Sequence, residues 1–524
     1  MSELIRASLL WHLVSAVYAR WRRTGLSRAL TALRRLCMQS AIYRLCAGIL
    51  CAEPIADRSS FRRMSDAFNA RLHKLHGSYT RALQGSALHR LYARMLKLLR
   101  GSALLGWLFA GGLTTVLLCM LAAYFPLDYL FRDIIHISAL ASVWDEGLMV
   151  LCLAWILLQR VRAKTPLRSA ASSLDVYLLF YLLTGLLLLS FTLSYVGINI
   201  AGYRASMQYI LVFYLVTRLL HNDRDFYAMY RVMLAFALLF AVHGLYQFAV
   251  GAEIPSTWVD QAEGAVRTRV FSIFKNPNIM GAYMLLFAPM AIGAAYAETD
   301  TATKVFYWIC GLCMCLSCLF TLSRGAWLAL AIAAIFFSLI IDRRLLVLML
   351  VGGLAACLVP SVRSRITYLF TPQFVESNER GGRAKRWSTA LGYLDDYDAW
   401  PAGLGYGCFG GAVAAQNQIR PEFDYLYTDN YYVKILAENG IIGLSAFCTS
   451  IVGILWNGIR ACGRAKQGSH RPVCVGMLAG LIGILVQSFF ENIWEEPYMM
   501  AIFFAVAGML CYFGFRSKSA RAEA

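Results

Sequence analysis

Four short stretches of the chain hold residues whose types suit the binding of an anion and the movement of a proton. The first carries Arg267 and Arg269, followed by Lys275-Asn276-Pro277-Asn278. The second is Thr321-Leu322-Ser323-Arg324-Gly325-Ala326-Trp327. The third carries Arg380, Arg383, Lys385, Arg386 and Trp387, then Asp395, Asp396 and Asp398, then a glycine-rich string from Gly403 to Gly410. The fourth runs Thr428-Asp429-Asn430, with Glu438-Asn439-Gly440 and Gly443 after it. Guanidinium groups match phosphate or carboxylate oxygens in pairs. A carboxylate such as Asp429 or Glu438 can take a proton from a hydroxyl.

Each stretch also has a plainer reading. Asn-Pro-Asn is a turn that enters a helix, with proline where its missing N–H does no harm. Asn276, Asn278, Asp429 and Asn430 are all good helix caps, so capping alone could account for them. Arg324 could reach up to the membrane surface. Arg269 has no capping role at a helix N-terminus, where the dipole favours anions. The glycine string has no preceding strand and no following lysine, so it does not read as a nucleotide loop.

The elements that must position these residues are set by composition. Of 524 residues, 59% are hydrophobic and 15% charged, and mean hydropathy is +0.56. Soluble domains hold about 25% charged residues. The apolar residues fall into runs of roughly 20, the length that crosses a bilayer. About twelve spans are expected, near 102–124, 144–160, 173–192, 204–220, 227–250, 279–297, 303–322, 325–341, 344–360, 430–456, 473–490 and 496–515. Asp145 and Glu146 make the second the weakest. The fold class is therefore all-α, a polytopic membrane protein with a long loop, 361–429, between the ninth and tenth spans.

The net charge of +19 lies between apolar runs and in the first hundred residues, not on a folded soluble surface. It reads as topology and contact with membrane lipids rather than nucleic-acid binding. Arg160, Arg162, Lys164 and Arg168, then Arg218 and Arg224, Arg343 and Arg344, and finally Arg460, Arg464, Lys466 and Arg471 fall on alternate connections. Both termini are expected on the cytoplasmic side of the cell membrane. The basic outer stretches at 251–278, 322–325 and 361–429 run against that rule, so an anionic ligand or lipid headgroups must offset them.

Residues 1–100 form a separate basic region, with 101–524 as the transmembrane domain. Leu88, Leu91, Met95, Leu98 and Leu99 recur at helical spacing with Arg90, Arg94 and Lys97 between them, a basic amphipathic helix suited to a membrane surface. The 15 cysteines sit mostly inside apolar runs and show neither disulfide nor metal spacing. No metal and no cofactor are expected, and no cleaved leader is evident.

Taken together and in this order, the four stretches resemble the O-antigen ligase and polysaccharide polymerase family of bacterial membrane glycosyltransferases, from about residue 200 to 510. The resemblance implies a GT-C-like helical fold. It also implies an enzyme of the cytoplasmic membrane's outer face that passes a glycan from undecaprenyl diphosphate to an acceptor glycan or glycolipid. By motif position the family's diphosphate-binding arginines fall on Arg269, Arg324 and Arg383. Arg267, Asn276, Asn278, Arg386, Trp387, Asn430 and Glu438 would help to hold substrate. Where ligases carry a histidine before Asn430, this chain has Asp429. That speaks against a histidine-dependent mechanism and a lipid A acceptor, and makes Asp429 the candidate base, with Glu438 in reserve. A flippase for lipid-linked sugars would share the helix count and basic character, but should show two related halves with charges at mid-membrane, which the sequence lacks.

Overall fold

The computed structural model describes residues 67, 70–71, 86–101, 112–162, 173–191, 195–255, 268–417, 427–465 and 470–523. The rest of the basic N-terminal region lies outside these residues, as do Arg267, Lys164, Arg168 and Lys466. Everything below concerns the unit that runs from Leu72 onward. Among the described residues all regular structure is helical.

The helices follow in chain order. They are α1 (Ala87–Arg100), α2 (Leu113–Ala122), α3 (Tyr124–Tyr129), α4 (Ser138–Arg162), α5 (Ser173–Leu189), α6 (Val196–Met207), α7 (Ile210–Leu219) and α8 (Asp223–Val250). Then come α9 (Pro277–Ala297), α10 (Thr301–Phe320), α11 (Arg324–Ile340), α12 (Arg344–Ala356) and α13 (Pro360–Thr367). The last are α14 (Pro372–Arg380), α15 (Arg383–Asp396), α16 (Gly411–Asn417), α17 (Tyr431–Arg464), α18 (His470–Gln487) and α19 (Pro497–Glu523).

Among the described residues, six helices are long and apolar enough to cross a bilayer: α8, α9, α10, α17, α18 and most of α4. Two further pairs qualify only if each sharply bent pair counts as one span, α2 with the segment from Tyr124 to Ile135 and α12 with the segment from Pro360 to Phe370. Four shorter apolar helices, at Leu174–Leu189, Ile210–Leu219, Arg324–Ile340 and Pro497–Phe513, accompany them. The chain is an integral membrane protein. The expected run 344–360 turns out to be a thirteen-residue helix followed by a 94° bend. At 1.5 Å per residue α12 reaches only about 20 Å. The run 204–220 is likewise divided, because α6 ends at Met207 and α7 starts at Ile210. The segment 361–429 is not an irregular loop: α13 to α16 occupy most of it.

Helix α9 is the centre of the bundle, buried along nearly its whole length. Its tightest partner is α18, through glycines. A Cβ on Gly476 would stand 2.4 Å from Pro289 O, and one on Gly480 2.3 Å from Leu286 O. Gly293 of α9 meets Pro472 O in the same way, at 2.5 Å. Water cannot drive helices together in a bilayer, so such small-residue contacts, four apart on one face, supply close backbone packing instead. Pro289 sits inside α9, and the absence of its N–H is tolerated within this packing.

Polar groups join the remaining helices. Asp145, which made the second span the weakest by composition, is buried and accepts from Tyr124 Oη (2.9 Å) and Tyr209 Oη (2.8 Å). Glu146 pairs with Arg204, and Asp175 with Arg218 at 2.6 Å. Acidic residues are costly in apolar surroundings unless paired, and these are. On α1, Leu91, Met95 and Leu98 are exposed beside exposed Arg90, Arg94 and Lys97.

Candidate functional site

The first arginine is anchored at the entry to α9. Asn276 is the helix cap, accepting from Asn278 N at 2.8 Å, with Pro277 in the first turn. Asn278 is therefore not the cap, and its side chain turns elsewhere. Its Oδ1 accepts from Arg269 Nη2 at 3.1 Å, and its amide donates to Glu491 Oε2 at 2.6 Å. Arg269 is buried, and its Nε donates to Thr321 O at 2.9 Å. Val270 N donates to Phe320 O beside it. The stretch 269–270 thus lies along the turn between α10 and α11.

That turn presents Arg324. Leu322 adopts φ 53°, a left-handed conformation rare for a branched side chain. Arg324 opens α11 with its guanidinium over the rings of Tyr368 (5.7 Å) and Phe374 (5.3 Å). The next residue must be glycine, since a Cβ on Gly325 would lie 2.7 Å from Phe490 Cβ.

The third arginine opens α15. Arg383 Nη2 donates to Phe490 O at 2.9 Å, and its Nε lies 3.4 Å from Asp429 Oδ2. One turn on, Arg386 Nη1 donates to Asp429 Oδ2 at 3.2 Å and to Tyr427 O at 3.1 Å. Trp387 Nε1 donates to Thr428 O at 2.9 Å. The first turn of α15 is thereby strapped to residues 427–429.

Asp429 and Asn430 divide the roles that the sequence left open. Asn430 Oδ1 accepts from Tyr432 N (3.0 Å) and Val433 N (3.3 Å), so it is the cap of α17. Asp429 makes no cap. It holds φ 50° and gives its carboxylate to the two arginines. A strained backbone held by its surroundings is a feature found at functional sites. Burial pushes the Asp429 carboxyl up from its ordinary range, and Arg383 and Arg386 pull against that shift without cancelling it.

Residues that sequence reasoning missed complete the network. Glu491, 1% exposed, joins Asn278 to Tyr427, whose hydroxyl donates to Glu491 Oε1 at 2.7 Å. Burial, with Asp429 nearby, pushes the Glu491 carboxyl up to about 7, against the pull of Tyr427, Asn278 and Arg383. Three acids, Glu491, Glu495 and Glu496, occur within six residues between the last two apolar runs, and that cluster was the signal available. Arg269, Arg383 and Asp429 are therefore joined through Asn278, Glu491 and Phe490, with Arg324 next to the glycine that packs on Phe490. Arg269, Arg383 and Arg386 share this network with two carboxylates, Asp429 and Glu491, and the Glu491 carboxyl is poised near neutrality. The cluster carries an excess of positive charge, suited to an anion with several oxygens.

Glu438 lies apart from this network. It sits in α17 before a break at Gly440 (φ 63°, ψ −168°). The chain 400–405 wedges into the break. Leu404 N and Gly405 N donate to the carbonyls of Ala437 and Glu438, and Ile441 N and Ile442 N donate to Trp400 O and Pro401 O. These four bonds replace helical partners lost at the break. Glu438 lines a cleft with Lys434, Glu495, Tyr431, Trp494 and the glycine string. Among the described residues no group of His, Cys, Asp or Glu is arranged to hold a metal ion.

Residues 309–448 match the family described as O-antigen ligase. Over this stretch the chain is similar to that family. The match spans Arg324, Arg383, Arg386, Trp387, Asp429, Asn430 and Glu438, while Arg269, Asn278 and Glu491 lie outside it and are brought to it by the fold. None of the curated proteins compared with the chain matches it. The matched stretch therefore lies in a membrane protein, and it includes Asp429 with its partners Arg383 and Arg386.

Proposed function

We propose that this protein transfers a glycan from undecaprenyl diphosphate to a hydroxyl of an acceptor glycan or glycolipid, at the outer face of the cytoplasmic membrane. The observation that carries this reading is the convergence of Arg383 and Arg386 on Asp429, within the same network as Arg269. A diphosphate entering here would displace Asp429 from its arginines and exchange one anion for another. The freed carboxylate, already pushed up by burial, is then a better proton acceptor.

In the transfer, the acceptor oxygen attacks the anomeric carbon and its proton passes to Asp429. The bond from that carbon to the diphosphate oxygen breaks, and the electron pair leaves with the diphosphate. Fixed guanidinium donors stabilise that growing charge, each contributing roughly 10²–10³ in rate. Asn276 and Trp387 would shape the surroundings, with Asn276 and Asn430 setting the two helix ends. The energy resides in the carrier bond, so neither nucleotide nor metal is required.

Six long helices, two bent pairs and four shorter apolar helices, taken as one span each, would make a GT-C-like arrangement of twelve spans. In it both termini are cytoplasmic, and residues 1–100 form a basic membrane-surface region ahead of the transmembrane domain.

The test is transfer by the purified protein from an undecaprenyl-diphosphate-linked glycan. Arg269→Ala, Arg324→Ala and Arg383→Ala should each abolish it while membrane insertion persists. Near-full activity in two of the three would overturn the diphosphate reading. A flippase would move the intact lipid and release no carrier.

A further inference from the structure

The cleft beside the arginine cluster differs from it in charge and lining. Its walls are the Gly407–Gly410 backbone, the face of α6 at Gly202, Ala205 and Ser206, and the rings of Tyr431 and Trp494. Those rings stack with centroids 5.8 Å apart and planes 24° from parallel. Lys434 Nζ lies 2.9 Å from Glu495 Oε1 and 3.9 Å from Glu438 Oε2. One cation facing two carboxylates leaves the cleft with no attraction for phosphate. Glu438 is 3% exposed, and the backbone amides of Gly407 and Phe409 approach its carboxylate. Its Oε1 nevertheless has no hydrogen bond of normal geometry among the described residues. A buried carboxylate oxygen left without a donor costs free energy, and a hydroxyl entering the cleft would satisfy it.

The two sites share their supports. Asn430, beside Asp429, caps the helix that carries Lys434 one turn later. Asn492, next to Glu491, donates its amide to Glu495 Oε1 at 3.1 Å. The glycine string is held close to α6, since a Cβ on Gly202 would stand 2.4 Å from Gly407 N.

We propose that this cleft is a subsite for an uncharged sugar ring, held by Lys434, Glu438 and Glu495 over aromatic faces, immediately beside the diphosphate site. The proposal rests on the glycan-transfer reading and names the substrate class that reading leaves open. Carboxylates accept from sugar hydroxyls, the lysine donates to them, and aromatic rings cover the apolar C–H face. The ring could belong to the donor's first sugar or to the acceptor's end.

The experiment measures binding to the full chain in nanodiscs. The probes are undecaprenyl diphosphate with and without one N-acetylhexosamine, and the methyl glycosides of a neutral hexose, an N-acetylhexosamine and a hexuronic acid. Glu438→Gln and Glu495→Gln remove the charges, and Ala205→Trp fills the cleft from α6 without touching them. Each should weaken a neutral-sugar probe about tenfold, the size of one lost charge-assisted hydrogen bond, and leave the sugarless lipid unchanged. Loss with the free glycosides assigns the acceptor end. Loss of only the increment that the sugar adds to the lipid assigns the donor. If no sugar probe responds while the sugarless lipid still binds, the subsite is wrong and the arginine site stands. Hexuronate binding as strongly as the neutral sugars would also overturn it. If the sugarless lipid fails to bind the wild type, the diphosphate reading falls, and the glycosides alone then decide whether the cleft takes sugar.

Discussion

Asn278 donates its side-chain amide to Glu491 at 2.6 Å, across 213 positions of sequence. Through that bond the entry to α9, which holds Arg269, is tied to the segment between α18 and α19, which receives Arg383. Its oxygen accepts from Arg269 while its amide donates to Glu491, so one side chain links the orientation of the other two.

Glu491 should make stability depend on pH in a direction unusual for an acid. Its carboxyl is pushed from 4.5 to about 7, so the folded protein holds that proton more tightly than the unfolded chain. Its contribution is present in full below about 4.5 and is lost as pH rises to about 7. Asp429 and Arg383 adjoin it and Tyr427 donates to it, so the comparison must be with a variant that leaves them in place. Thermal unfolding of wild type should decline between pH 5 and 8, and Glu491→Gln should flatten that decline. Equal slopes in the two proteins would show that Glu491 does not titrate in this window.

Asp429 and Asn430 should separate activity from stability. Asn430→Ala removes a cap and should cost about 1 kcal/mol of stability with modest loss of turnover. Asp429→Asn leaves that cap untouched but removes the proton acceptor and the anion that pairs both arginines. It should lower transfer by roughly 10²–10⁴ with little change in unfolding temperature. Turnover within a few-fold of wild type for Asp429→Asn would end its role as a base.

The bundle and the arginines were legible in the sequence for a simple reason. Apolar runs announce helices, and guanidinium groups between them contradict the usual charge distribution. What escaped depends on distance or continuity. Glu491 looked like one acid among three at a membrane boundary, because nothing local connects it to Asn278 or Tyr427. Helix α6 was hidden because it is short and only two residues separate it from α7, with no proline or glycine to mark the break. The division of labour between Asp429 and Asn430 was hidden too, because both residue types cap helices. Only backbone geometry shows which one does. The glycines of α18 read as ordinary apolar sequence until Leu286 and Pro289 were seen against them.

Those glycines make a packing prediction. A Cβ at Gly480 would sit 2.3 Å from a backbone oxygen of α9, which cannot rotate away as a side chain could. Gly480→Ala should force the helices apart and destabilise the protein by about 1–3 kcal/mol. Gly147, whose Cβ would meet nothing, is the matched control. If both variants unfold at the wild-type temperature in detergent, the close approach of α9 and α18 is not a major source of stability.

Arg324 offers a test of how the site holds a cation before substrate arrives. Its guanidinium lies over Tyr368 and Phe374, whose ring faces help to orient it. Phe374→Ala removes one face, worth about 0.5–1 kcal/mol at a partly exposed site. It should therefore raise the KM for the lipid-linked donor by roughly two- to fivefold, with kcat little altered. Phe374→Leu restores bulk but no ring quadrupole. If Leu rescues fully, the rings only fill space. If it rescues nothing, the attraction between ring and guanidinium is what keeps Arg324 aimed at the donor.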